Sequence, residues 1–158
     1  MNFSAGFWRV IEAIGGLTIS KQFHWTGYRK PEVKKMAFRY FQDSEVEGLD
    51  VDFVNRLDRA RHIAGIPFVI TSGYRSPERN QSIIGAVADS AHIKGLAVDM
   101  RVENSHEVFV MVHSLVVAGI NRIGIYVNKD WQPIHIHADA DPEKIPEVLF
   151  IRQEGAKS

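Results

Sequence analysis

Two strand-like segments that carry histidine and aspartate constrain the fold of this chain more than any other feature. Leu96–Val102 alternates apolar and polar residues around Asp99, and Trp131–Ala138 carries His135 and His137 two positions apart. Because successive side chains on a strand point to opposite faces, the two histidines share one face. If the two strands are neighbours in a sheet, Asp99 reaches the same point. The pattern therefore favours a polar cluster on one face of a sheet.

A third histidine, His92, lies in the loop before the Asp99 strand, within Ser90-Ala-His-Ile-Lys-Gly-Leu-Ala-Val-Asp99. Two histidines and a carboxylate provide three ligands to Zn²⁺ and leave a fourth position open for water, as a hydrolytic site requires. The remaining histidines have no such partner pattern and are interpreted as ordinary surface or core residues: His24, His62, His106 and His113. The two clusters therefore predict a metallohydrolase.

Composition excludes several other classes of protein. The chain has 158 residues, 45% apolar and 24% charged, which is typical of one globular domain. Lys plus Arg and Asp plus Glu number 19 each, so no global charge favours nucleic acid or an anionic membrane. No cysteine is present to form a disulfide or to bind metal as a thiolate. No apolar run reaches the length of about 18 residues that spans a membrane.

Hydrophobic periodicity predicts an α+β domain, with a small, mainly antiparallel sheet flanked by helices and the zinc site on the sheet. One helix is expected from Asp50, as its cap, to Ala64, and a second from Asn104 through Ala118. Strands are expected at residues 68–71, 96–102, 120–127 and 131–138, the last two joined by a hairpin-like turn.

The sequence pattern divides the chain into three segments. Residues 1–48 are interpreted as an N-terminal extension, 49–141 as the core domain with the zinc site and 142–158 as a C-terminal tail. The extension mixes aromatic and basic residues, and Pro31 is suited to the first position of a helix. Its aromatic residues either pack on the domain or bind a polyanion or a cell-wall glycan; packing is the more common role.

Three motifs in a fixed order resemble those of the zinc-dependent M15 peptidases. They are Ser72-Gly-Tyr-Arg-Ser76, Ser90-x-His92-x-x-Gly95-x-Ala97-x-Asp99 and His135-x-His137. That group includes D-Ala-D-Ala carboxypeptidases and phage endolysins, and it shares a metal-site fold with murein endopeptidases and the hedgehog signalling domain. The resemblance covers about residues 49–139. It implies a zinc peptidase that hydrolyses peptidoglycan stem peptides, as a D,D-carboxypeptidase or an endopeptidase.

The resemblance also implies the roles of the residues in the two clusters. His92, Asp99 and His137 become the zinc ligands. Some relatives have a glutamate or aspartate as base three residues before the last histidine, where this chain has Ile134. The His-x-His form resembles the murein endopeptidase branch, and this resemblance makes His135 the predicted base, since a neutral imidazole can accept a proton from water.

Residues outside the ligand set are given supporting roles. Asp139 is expected to orient a zinc ligand, with the base role as the alternative. Arg75 is expected to bind a substrate carboxylate or to stabilise the oxyanion. Tyr74 and Ser90 are weaker candidates for substrate contact.

Three alternatives to an endogenous wall enzyme stay open at this point. The N-terminus lacks the features of a signal peptide, so synthesis in the cytoplasm and action at the cell wall, as in a phage endolysin, are expected. A non-catalytic zinc-binding recognition module is possible on the same scaffold, as the hedgehog branch shows. A virion-associated wall-binding protein is a third class.

Overall fold

The computed structural model describes residues 38–83 and 86–154, together with the two short strands β1 (Ala13–Ile14) and β2 (Leu17–Thr18). Strands β1 and β2 pair antiparallel within a first compact unit, residues 1–35. The second unit comprises residues 36–158. The predicted helix at Pro31 and most of the aromatic and basic residues of the extension lie outside the described residues.

The described part of the second unit contains three α-helices and five strands, preceded by a short 3₁₀ turn at Asp43–Glu45. The helices are α1 (Val51–Ala64), α2 (Pro77–Gln81) and α3 (Ser105–Val117). The strands are β3 (Val69–Ser72), β4 (Ala97–Arg101), β5 (Arg122–Val127), β6 (Pro133–Asp139) and β7 (Val148–Gln153).

The five strands form one sheet in the order β3-β4-β6-β5-β7. All neighbouring pairs are antiparallel except β5 and β7, which are parallel. The expected α+β class with a mainly antiparallel sheet is therefore confirmed. The strands that carry Asp99 and His137 are direct neighbours, as the convergence of the two clusters requires.

One face of the sheet packs against α1 and α3, which also pack against each other. Helix α1 begins where the Asp50 side chain accepts a hydrogen bond from the Phe53 N–H, and it ends at Gly65, whose φ of 67° suits glycine. The largest fully buried side chains of this core come from both helices, the sheet and the residues that precede its strands: Phe53, Leu57, Phe68, Met100, Met111, Leu115, Ile120, Ile123 and Ile136. The opposite face of the sheet is consequently free to carry polar residues.

Part of the core and one edge of the sheet come from segments that the sequence assigned elsewhere. Phe41 and Val46, in the predicted extension, are buried in the core cluster. Strand β7 comes from the predicted tail and forms an edge of the sheet, an element that the sequence pattern did not indicate. Among the described residues, no helix is both long and apolar enough to cross a membrane.

Candidate metal centre

A single row of side chains crosses all five strands on the face of the sheet opposite the core. Strand pairing places Ser72 opposite Asp99, Asp99 opposite His137, His137 opposite Gly124, and Gly124 opposite Phe150. Directly paired residues point to the same side of a sheet. We call these five residues the transverse row. The residues next to Asp99 and His137 along their strands point the other way, into the core: Val98, Met100, Ile136 and Ala138.

The loop before β4 brings His92 to this row. Within the loop, the Ile93 N–H donates to the Ser90 carbonyl and the Gly95 N–H donates to the His92 carbonyl. Gly95 has a φ of 71°, and a Cβ there would lie 2.5 Å from the carbonyl oxygen of Gly48. Only glycine fits this turn without strain. Gly95 therefore helps to direct the His92 imidazole toward the sheet.

Three ligand atoms converge where His92 meets the row. The His92 Nε2 lies 3.3 Å from the His137 Nδ1 and 3.4 Å from the Asp99 Oδ2. The His137 Nδ1 lies 2.9 Å from the Asp99 Oδ1. One ligand atom from each of the three residues lies within 4.8 Å of the others, so together they could hold a metal ion.

The second nitrogen of each imidazole lies against an acceptor. The His92 Nδ1 lies 2.7 Å from the Gly73 carbonyl oxygen, which only accepts, so this nitrogen carries the hydrogen. The His137 Nε2 lies 3.2 Å from the Asp139 Oδ2, and its Nδ1 faces the Asp99 Oδ1. With a metal ion beside Asp99, Nε2 would donate to Asp139 and leave the Nδ1 lone pair for the metal. Two imidazole nitrogens and a carboxylate oxygen suit a divalent metal ion.

Asp99 is held as a carboxylate between the two histidines and Arg75. The Arg75 Nη2 donates to the Asp99 Oδ2 at 2.6 Å, and the Arg75 Nε donates to the Ser72 Oγ at 2.9 Å. Burial raises the pKa of Asp99, but its interactions with His137 and His92 lower it by more, so it lies well below its usual range. A negative charge is therefore available at this point throughout the neutral range.

Asp139 holds the far side of His137. Its Oδ2 accepts from the His137 Nε2, and its Oδ1 accepts from the Arg122 Nε at 2.9 Å and from the Asp141 N–H at 3.2 Å. Only 2% of Asp139 is exposed. Both carboxylate oxygens are thus engaged, an arrangement that favours orientation of His137 over proton transfer from water.

His135 lies two residues before His137 on β6, on the same face as the transverse row. It is opposite Tyr126, and the two rings stack with centroids 4.4 Å apart and planes 17° apart. The Tyr126 ring in turn meets Phe150 edge-on at 6.2 Å. Burial lowers the pKa of His135 by more than the nearby carboxylate of Asp99 raises it, so the imidazole is neutral at pH 7. Within the described part of the chain, His135 has a ring contact but no hydrogen bond.

The model of the Peptidase M15 family matches residues 31–139, more than half of the chain. The chain belongs to the Peptidase M15 family. The resemblance of its three motifs is thereby confirmed, and membership implies a metallopeptidase with a peptide substrate. No curated protein and no solved structure is significantly similar to the chain.

The other residues that the motifs singled out occupy different places in this M15 domain. Ser90 is buried, and its Oγ accepts a hydrogen bond from the His92 N–H at 3.4 Å, so it contacts the loop that carries His92. Tyr74 is 43% exposed, and its ring packs over Gly48, where a Cβ would lie within 2.6 Å of it. Of these two, Tyr74 alone has substantial contact with solvent.

Three residues of the M15 site were not anticipated from the sequence: Arg122, Tyr126 and Phe150. The first two had a usable signal, because β5 alternates apolar residues with Arg122, Gly124 and Tyr126. That alternation places all three on the face of the histidines once β5 and β6 are paired. Phe150 had no such signal, since its strand was not predicted.

Proposed function

We propose that this M15 domain is a zinc peptidase that hydrolyses peptide bonds in peptidoglycan stem peptides at the cell wall. The observation that carries the proposal is the convergence of one nitrogen of His92, one nitrogen of His137 and the Asp99 carboxylate, with each imidazole held from behind. When bound there, Zn²⁺ would activate water and polarise the scissile carbonyl. The motifs that resemble peptidoglycan-cleaving M15 enzymes support the choice of substrate.

The residues around the ligands are suited to the remaining steps. A neutral His135 can accept the proton of the attacking water and return it to the departing amine. Arg75 uses Nε and Nη2 to hold Ser72 and Asp99, and its Nη1 has no hydrogen bond within the described residues. That nitrogen is available for a substrate carboxylate or for the oxyanion.

Two modes of cleavage follow from how Arg75 is used. A D,D-carboxypeptidase would bind the free carboxylate of a terminal D-Ala with this guanidinium. An endopeptidase, such as a phage endolysin, would use it on the oxyanion and leave both sides of the cleft to the peptide. The position of the new amino terminus in the products separates these modes.

Digestion of purified peptidoglycan, with fragments identified by mass spectrometry, tests the proposal. Cleavage of the stem peptide should occur with Zn²⁺, stop with a chelator and return when zinc is restored. His92→Ala should abolish cleavage, whereas His106→Ala, at an exposed histidine of α3, should not change it. Equal cleavage with and without chelator would refute the zinc peptidase. Zinc binding and peptidoglycan binding without any cleavage would instead indicate the non-catalytic recognition module.

A further inference from the structure

A buried carboxylate connects an arginine on β5 to one of the metal-binding histidines. Arg122 donates through Nε to the Asp139 Oδ1, and the Asp139 Oδ2 accepts from the His137 Nε2. The side chains of Arg122 and Asp139 are 16% and 3% exposed, so water does little to screen the pair. The three groups form a continuous chain that ends at the lone pair of the His137 Nδ1.

We propose that Arg122 is a positioning residue of the metal site, which acts on His137 through Asp139. This inference rests on the metal site of the proposed function and extends it to a residue on a different strand. A carboxylate held only by an imidazole can rotate about its Cβ–Cγ bond. Arg122 and the Asp141 N–H both bind Oδ1, and this leaves Oδ2 directed at His137.

The guanidinium is itself held at a second point. The Arg122 Nη1 donates to the Ile145 carbonyl, so two nitrogens of one planar group bind acceptors on two different segments. A lysine has a single point charge on a flexible stem and cannot reproduce this fixed pair of bonds. The contact therefore depends on arginine and not only on positive charge.

The expected effect is a loss of metal affinity without a loss of ligands. Removing a group that orients a ligand from behind typically weakens metal binding about 10- to 100-fold. Arg122 is one step further from the metal than Asp139. We therefore expect Arg122→Gln to weaken Zn²⁺ binding about 10-fold, at the lower end of that range.

A double-mutant cycle on the full chain tests whether the effect passes through Asp139. Zn²⁺ affinity is measured by competition with a chromophoric chelator for the wild type, Arg122→Gln, Asp139→Asn and the double variant. If Arg122 acts through Asp139, Arg122→Gln should change the affinity by less than about twofold in the Asp139→Asn background. Arg122→Lys should weaken binding nearly as much as Arg122→Gln.

Arg56→Gln is the matched control, because Arg56 lines the same cleft as Arg122 and donates to the Gly119 carbonyl instead of to Asp139. It should leave zinc affinity unchanged. An unchanged affinity in Arg122→Gln, or an equal loss in both backgrounds, would overturn the inference. If Arg122→Gln does not fold, the same two comparisons are made with Arg122→Lys.

The readout is independent of peptide hydrolysis. A wild type that binds zinc and shows the expected cycle but cleaves no peptidoglycan would support the role of Arg122 while refuting the proposed substrate. If the wild-type protein cleaves peptidoglycan but Arg122→Gln weakens zinc binding equally in both backgrounds, only the role of Arg122 is refuted.

Discussion

Replacement of Gly124 by alanine tests the packing beside the metal ligands. A Cβ at this position would lie 2.4 Å from the Phe150 Cζ and 2.6 Å from its Cε2. Carbon atoms in contact are normally about 3.5–4.0 Å apart, so the ring has to move by about 1 Å or leave the sheet. Because Phe150 also meets Tyr126 edge-on, this movement disturbs the ring against which His135 stacks.

Two opposing effects determine the size of the change. Overpacking of this kind costs about 1–3 kcal/mol. Alanine gains about 0.5–1 kcal/mol over glycine inside a strand, and the φ of Gly124 is not in the left-handed region. The clash is the larger effect, so the free energy of unfolding should fall by about 1–2 kcal/mol.

Urea denaturation of the chelator-treated protein measures this loss. Gly73→Ala is the matched control, because a Cβ at Gly73 meets only Leu49 atoms at 3.7–3.8 Å, which is ordinary contact. Its free energy of unfolding should change by less than about 0.5 kcal/mol. In a Phe150→Ala background, Gly124→Ala should become neutral or stabilising because the ring is gone. A loss of the same size with and without the ring would refute the reasoning.

Four further outcomes are expected. Burial lowers the pKa of His137, but hydrogen bonds to Asp139 and Asp99 raise it by more, above 6.5, so zinc affinity should fall about tenfold per pH unit below that raised value. The free energy of unfolding of the metal-free protein should instead be highest at low pH. The raised pKa of His137 adds stability below about pH 6.5, and this stability is lost as the pH rises through the pKa of the folded state. Zinc affinity and stability that do not change with pH would contradict these two expectations. His135→Ala should lower kcat at least about 100-fold with zinc stoichiometry unchanged, and a wild-type rate would exclude it as the base. Gly95→Ala should lower the free energy of unfolding by more than about 2 kcal/mol, because alanine is strained at φ 71° and its Cβ clashes with the Gly48 carbonyl. An unchanged melting temperature would contradict this expectation.

Much of the metal site could be predicted because it depends on local rules. Strict alternation on β4 and β6 places Asp99 and His137 on the polar face, and a shift of one residue would bury both in the core. The bounds of α1 follow from Asp50 as its cap and Gly65 as its end, and these features act within a single turn of chain.

The parts that could not be predicted depend on contacts between distant segments. Strand β7 is parallel to β5 and follows Pro142 and Pro146, so neither a hairpin turn nor a clear alternation indicates it. The contact of Arg122 with Asp139 requires the pairing of β5 with β6 to be known residue by residue. The orientation of the His135 ring depends on Tyr126, a neighbour in space that lies beyond the turn.

The position of β7 at the end of the described chain has a consequence for the order in which the site is made during translation. All three ligands have been synthesised once the ribosome passes His137, but the Ile145 carbonyl that holds Arg122 and the Phe150 ring come later. At about 5–20 residues per second, roughly 1 to 3 s separate the synthesis of His137 from that of Gln153. A chain released within that interval would leave β5 as an open edge of the sheet. Metal binding by such a truncated chain should therefore be weaker than binding by the chain that carries β7.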